Sequence, residues 1–171
     1  MKRRPLRLLA IDLTAKGFGF ALLDARLGLL DWGFSSVPAT DDAMFLVRVS
    51  ARIERGHPTA LVLENFAPIR SREAAVRRQG LAIKLAEERT IGLCQVSQTI
   101  VQAILGPGTK CAIAKCLADR FPELKHRVPP TRKRWTSEDE RMHIFDALAM
   151  AVCVAKPRTD LAVNDVRPMR R

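Results

Sequence analysis

Two short apolar runs in this chain each end in a carboxylate. Leu8-Leu9-Ala10-Ile11 leads into Asp12, and Ala60-Leu61-Val62-Leu63 leads into Glu64. An apolar run without polar alternation reads as a central strand covered on both faces. A carboxylate placed straight after such a strand is costly to desolvate unless something positive meets it. A third acid, Asp146, lies in the helical stretch His143-Ile144-Phe145-Asp146-Ala147-Leu148-Ala149-Met150-Ala151, one turn after His143. If the two strands run parallel and side by side, Asp12 and Glu64 come within about 5 Å of each other. His143 and Asp146, at i and i+3, share a helix face and can close the cluster. Three carboxylates and an imidazole gathered this way imply bound cations.

The rest of the chain has the opposite sign. Its 171 residues carry 29 Lys and Arg against 18 Asp and Glu, a formal net charge of +11, and such a surface attracts phosphate backbones and releases counterions on binding. The basic residues cluster. Arg70, Arg72, Arg77 and Arg78 follow Glu64; Lys110 and Lys115 begin a later helix; Lys125-His126-Arg127 and Arg132-Lys133-Arg134 flank Pro129-Pro130. A nucleic acid therefore suits the chain better than an anionic membrane surface or ribosome-like packing. No apolar run reaches the 18 or so residues of a membrane span. Asp12 and Lys16 interrupt any signal-peptide core after the basic start Met1-Lys2-Arg3-Arg4-Pro5, so a cytoplasmic, nucleoid-associated protein is expected. Cys94, Cys111, Cys116 and Cys153 form no CxxC pair and read as reduced, small apolar residues. Their spacing disfavours a zinc site built with His126.

Residues 7–13, 18–23 and 29–35 read as an antiparallel meander, with a turn at 24–28. Asp41 or Asp42 can cap a helix with Phe45, Leu46, Val49 and Ile53 on its apolar face and Gly56 as its stop. The Glu64 strand follows, then a helix capped by Ser71 and running to Arg89, then a strand over 91–96. Helices are expected over 97–105 and 110–121, and a last one runs to about Ala155 from the capping box Ser137-Glu138-Asp139-Glu140. The crossover from the meander to the Glu64 strand predicts a mixed α/β sheet with helices packed on it. Residues 1–156 read as one domain, and 157–171 as a basic, flexible tail.

This arrangement resembles the ribonuclease-H-like fold: a mixed five-stranded sheet, with a three-stranded antiparallel meander plus two parallel strands, flanked by helices. More specifically it is similar to the RuvC family of Holliday junction resolvases, over nearly the whole chain. The stretch from His143 to Ala151 looks like that family's closing helix, Ile11-Asp12 with Gly17 and Gly19 like its opening strand, and Leu61-Val62-Leu63-Glu64 like its second acidic strand. Leu13-Thr14 stand where the family has Pro-Gly. The resemblance implies an endonuclease, metal-dependent and structure-selective, that cuts four-way DNA junctions in recombination and repair. Asp12, Glu64, His143 and Asp146 would hold two Mg²⁺ or Mn²⁺ ions, and Lys110 would offset charge on the scissile phosphate. Phe66 is similar to an aromatic that wedges the junction, and Arg70, Arg72, Arg77, Arg78, Lys110, Lys115, Arg132, Lys133 and Arg134 would bind DNA. It further implies a homodimer, through the helix from Arg72 to Arg89 with Ala74, Ala75, Ala82 and Ala86, and a branch-migration helicase as partner.

Each residue also has a plainer role open to it. Asp12 could end a strand into a turn, Glu64 could pair with Arg70 or Arg72, and His143 and Asp146 could lie on a solvated helix face. The small residues of the dimer helix could pack only on the sheet. Glu138, Asp139 and Glu140 are explained by the helix N-terminus, where acids are favoured, and His57 and His126 by the surface. Two other functions compete: an RNase-H-like nuclease processing structured RNA, and a non-catalytic nucleic-acid-binding module. A four-membered acidic site argues against the module, since unpaired carboxylates would repel the backbone.

Overall fold

The computed structural model describes residues 5–65, 72–131 and 137–155. Phe66, Arg70, Ser71, Arg132, Lys133, Arg134, Trp135 and the tail from Lys156 lie outside them. The sheet has five strands: β1 (Arg7–Thr14), β2 (Gly17–Asp24), β3 (Leu29–Ser36), β4 (Ala60–Glu64) and β5 (Gly92–Val96). They lie in the order β3-β2-β1-β4-β5. The first three form the antiparallel meander, while β4 pairs parallel with β1 and β5 parallel with β4. This is the α/β mixed sheet that the strand pattern predicts.

The described residues form five α-helices around the sheet: α1 (Asp42–Gly56), α2 (Glu73–Glu88), α3 (Gln98–Leu105), α4 (Lys110–Arg120) and α5 (Met142–Ala155). The period-two alternation of β1 divides its apolar side chains between two cores. Leu9, Ile11 and Leu13 join Phe45, Val49 and Ile53 of α1 and Ala75, Ala82, Leu85 and Ala86 of α2. Leu8 and Ala10 face α5 and, behind it, α3 and α4. α5 is buried at ten of its fourteen positions, a helix apolar almost all round because the sheet covers one side and two helices the other. Each fully buried Leu or Phe there contributes about 1.5–3 kcal/mol.

Several boundaries differ from the sequence reading. Asp41 caps α1, accepting from the Met44 N–H at 2.8 Å, but His57, at φ 47°, ends the helix in place of Gly56. Gly56 serves packing instead, since a Cβ there would lie 2.9 Å from a methyl of Leu22. Thr109 and Ser97 cap α4 and α3 through their hydroxyls. A 3₁₀ segment, Pro122–Arg127, follows α4 and carries Lys125, His126 and Arg127. α5 begins at Met142, later than a box at Ser137–Glu140 would start it. Asp139 organises that turn: its backbone carbonyl accepts from Met142 N–H at 2.9 Å and its carboxylate from Arg141 N–H at 2.9 Å.

Candidate active site

Register brings the first two acids together. Ile11 of β1 pairs with Leu63 of β4, so Asp12 and Glu64, each the next residue, leave the C-terminal edge of adjacent parallel strands. Asp12 is 7% exposed. On the other side of β1 its partner in β2 is Gly19. A Cβ at that glycine would lie 2.2 Å from the His143 carbonyl oxygen. The bare backbone of Gly19 is therefore what admits the first turn of α5 to the sheet, a close approach only glycine allows. His143 Nδ1 then lies 2.6 Å from Asp12 Oδ2. One turn on, Asp146 completes a group in which Asp12, His143 and Asp146 each offer a ligand atom, all within 4.8 Å of one another.

Lys110, at the first turn of α4, reaches across to this group. Its Nζ donates to Asp146 Oδ2 at 2.7 Å and lies 3.0 Å from Glu138 Oε1. Glu64 Oε2 lies 3.3 Å from an Arg72 guanidinium nitrogen, and the Glu64 carbonyl accepts from the Gln79 amide at 2.7 Å. Asp12, Glu64, Arg72, Lys110, Glu138, His143 and Asp146 line one cleft of about 540 Å³, with Thr14, Gln98, Gln102 and Met150 among its walls. Thr14, in the turn where Leu13-Thr14 stand, accepts from the Lys16 N–H and donates to the Gly17 carbonyl.

The electrostatics show a site short of positive charge. Burial raises the Glu64 carboxyl above its usual range, the Asp12 charge raises it further, and Arg72 and Lys110 only partly oppose this. Burial pushes Asp146 up to about 6, with Asp12 adding to the shift although Lys110 is bonded to it. Lys110 loses to burial but gains more from Asp146 and Glu138, and its ammonium is held above its usual pKa. The ion pair thus raises one partner's pKa and fails to lower the other's. Burial is the first reason; the second is that, among the described residues, four carboxylates, Asp12, Glu64, Glu138 and Asp146, share the cleft with Lys110 and Arg72. Burial lowers the imidazolium of His143, yet the Asp12 hydrogen bond and charge more than restore it, leaving the pKa raised. Compact and rich in carboxylate oxygens, with one imidazole, the cluster has a donor set that could hold a metal ion.

Other sequence expectations fall elsewhere. Arg78, expected on DNA, is fully buried and cannot reach it. Its guanidinium donates to the carbonyls of Thr14 and Ala15 in the β1–β2 turn and to those of Val37 and Pro38 after β3. Its Nε lies 3.8 Å from Asp42. Arg77, exposed, pairs with Asp42 and the Ala39 carbonyl. Lys115 is exposed on α4. Glu138, read as a helix-start acid, belongs to the cleft. Only its partner Lys110, 28 positions earlier, could have revealed that. Among the described residues Asp12, His143 and Asp146 are the one cluster of potential metal ligands. The four cysteines form no disulfide, and among the described residues no helix is long and apolar enough to cross a membrane.

Fold and site together define a ribonuclease-H-like α/β domain with an acidic cleft, able to hold a metal ion, at the ends of its two central parallel strands. Among solved structures the chain is similar to Thermus thermophilus RuvC in complex with Holliday junction substrate, with a TM-score of 0.70 at 18% identity over 96% of this chain and 99% of that one. A second Thermus thermophilus RuvC structure gives 0.67 at 18% identity, covering 96% and 100%. The yeast mitochondrial Holliday junction resolvase Ydc2 gives 0.60 at 15% identity, covering 88% and 78%. The fold is thus that of the RuvC structures. No family model matches the chain, and no curated protein matches it in sequence.

Proposed function

We propose that this chain is a divalent-metal-dependent endonuclease that resolves four-way DNA junctions by hydrolysing paired phosphodiester bonds. The observation that carries the reading is the Asp12–His143–Asp146 group, with Glu64 beside it, in the cleft of a RuvC-like fold. The structural relative bound to a Holliday junction favours branched DNA over structured RNA as the substrate.

Asp12, Glu64, His143 and Asp146 are the residues that would hold Mg²⁺ or Mn²⁺, two ions per site. When bound, such ions supply Lewis-acid charge at the scissile phosphate. The chain's own groups do the rest. Asp12 accepts from His143 Nδ1–H, which fixes the imidazole and leaves Nε2 as its lone-pair atom. Lys110, held from two sides by Asp146 and Glu138, presents a compact ammonium to charge developing on the phosphate. Arg72, exposed at the rim, neutralises Glu64 and faces an approaching backbone.

The homodimer reading rests on α2. Its Ala75, Ala82, Leu85 and Ala86 pack on the sheet, whereas Gly80 is exposed and has open space where a Cβ would stand. A second copy seated there would place two sites about one two-fold axis, as paired nicks require. Within a cell such an enzyme works at the nucleoid, beside a motor that moves the branch point.

The test is cleavage of a labelled four-way junction with Mg²⁺ or Mn²⁺, beside linear duplex, single strand and structured RNA. Symmetric nicks confined to the junction and lost in Asp12→Asn are expected. Cutting of RNA alone reassigns the substrate, and binding without cutting in either metal sinks the catalytic reading.

A further inference from the structure

On the sheet face away from α5, the outer strand β3 and helix α1 enclose a second concave surface of about 330 Å³. Its lining is Ser35, Arg48, Ala51, Arg52 and Arg55. The three arginines recur at i, i+4 and i+7, so they form one stripe on α1. Arg52 is anchored, its guanidinium 4.2 Å from the centre of the Phe20 ring. Arg52 and Arg55 share a single carboxylate oxygen, Oδ2 of Asp31. Arg48 pairs with no carboxylate among the described residues; its guanidinium donates to the neutral Ser35 hydroxyl at 3.2 Å. Three positive charges thus face one negative charge. Burial and the charges of Arg55 and Arg48 depress the Arg52 pKa, with Asp31 opposing. That is the mirror image of the carboxylates in the cleft.

Position and shape say what this surplus suits. Leu13, the residue after Asp12, pairs with Phe18, and Phe18 pairs with Ser35. The Ser35 end of the stripe is therefore level with the catalytic end of the sheet, two strand spacings away, or about 10 Å. From there the stripe descends along α1 for seven residues, about 10 Å, which spans roughly three base-pair steps of rise along a duplex axis. Arg48 and Arg55 are exposed along its length, so it is an open track rather than an enclosed single-anion pocket. A planar guanidinium fork matches phosphate oxygens.

We propose that Arg48, Arg52 and Arg55 form a phosphate-binding track that grips the backbone of a junction arm where it passes the β3 edge of the sheet. The track extends the DNA-processing reading and supplies affinity without taking part in cleavage. It is tested by titrating a fluorescent long-armed four-way junction, without divalent metal, over a range of salt. Arg48→Gln/Arg55→Gln leaves anchored Arg52 in place. It is expected to weaken binding roughly tenfold and to reduce the slope of log Kd against log salt by about 2, one for each phosphate no longer neutralised. Cleavage at saturating enzyme stays at the wild-type rate. Asp31→Asn, which removes the one acid, should act in the opposite direction, with tighter and more salt-sensitive binding. It decides the matter if the double variant fails to fold.

Unchanged affinity and slope in both variants, with wild type binding the junction, overturns the track. So does protection of wild type alone by inorganic phosphate, with DNA binding untouched, because the site then serves a small anion. Wild-type binding to linear duplex with no junction cleavage removes the resolvase reading and leaves the track to be judged on the duplex. Failure to bind any DNA removes both.

Discussion

The acidic cleft and the arginine stripe lie on opposite faces of one sheet, and each concentrates charge of one sign. In the cleft four carboxylates face Lys110 and Arg72, and the carboxyl pKa values of Glu64 and Asp146 rise. On the stripe three guanidiniums face Asp31, and the pKa of Arg52 falls. Natural folds pair buried charges when charge serves stability alone, because an unmatched ion costs several kcal/mol. Arg78, fully buried, is met by four carbonyls and Asp42, although its Nε has no hydrogen-bond partner and burial still lowers its pKa. The two surface concavities leave charge unmatched. We read this unmatched charge as serving binding, of a cation in one place and of phosphates in the other.

If that contrast is right, neutralisation should have opposite effects in the two regions. Asp146→Asn should lower junction cleavage by roughly a thousandfold or more, while binding without metal is retained or tightened because a charge repelling phosphate is gone. Gel cleavage and anisotropy on the same preparation check this; loss of both activities would make Asp146 structural. The Arg78 contacts predict the largest stability effect. Arg78→Leu leaves buried carbonyls without donors and should cost about 3 kcal/mol. Calorimetry should then show a Tm lower by roughly 6–12 °C. Gly19→Ala pushes a methyl into the His143 carbonyl and should cost about 1–3 kcal/mol, with cleavage falling further than stability because His143 and Asp12 part.

Acid should also separate the regions. Asp146, raised from 3.8 to about 6, takes up a proton as pH falls through 6, and metal binding must expel it. His143, whose pKa is also raised, must give up its proton too, so affinity for Mg²⁺ or Mn²⁺ by calorimetric titration should drop about a hundredfold per pH unit below 6. The guanidiniums keep their charge, so metal-free DNA binding should not weaken over the same range. A folded-state pKa above the unfolded value also means that protonating Asp146 favours the fold. Its contribution to metal-free stability is unfavourable above 6 and fades as pH falls toward 3.8. The smallest effect is that of Arg48→Gln/Arg55→Gln, which changes affinity and salt dependence and leaves the cleavage rate alone.

Much of the molecule is legible in its sequence. Unbroken apolar runs mark β1 and β4 as central strands, and the spacing of Phe45, Val49 and Ile53 marks the buried face of α1, because burial acts on local periodicity. The placement of Asp12, Glu64, His143 and Asp146 follows from where those elements end. The misreadings have a common cause. Arg78 sits among arginines and reads as a DNA contact, yet its partners are carbonyls up to 64 positions away. Glu138 reads as a helix-start acid until α4 brings Lys110 to it.

The sequence by itself determined the elements, their order and the chemistry carried at their ends, since hydrophobic period and chain punctuation are local properties. Only the tertiary structure decided which charges meet. Gly19 admits α5 to the sheet, Arg78 goes inside, and among the described residues Asp31 is the lone acid beneath three arginines. Those outcomes depend on register and helix approach over a few ångströms, and Coulomb energy in a low-dielectric setting depends on distance rather than on separation along the chain.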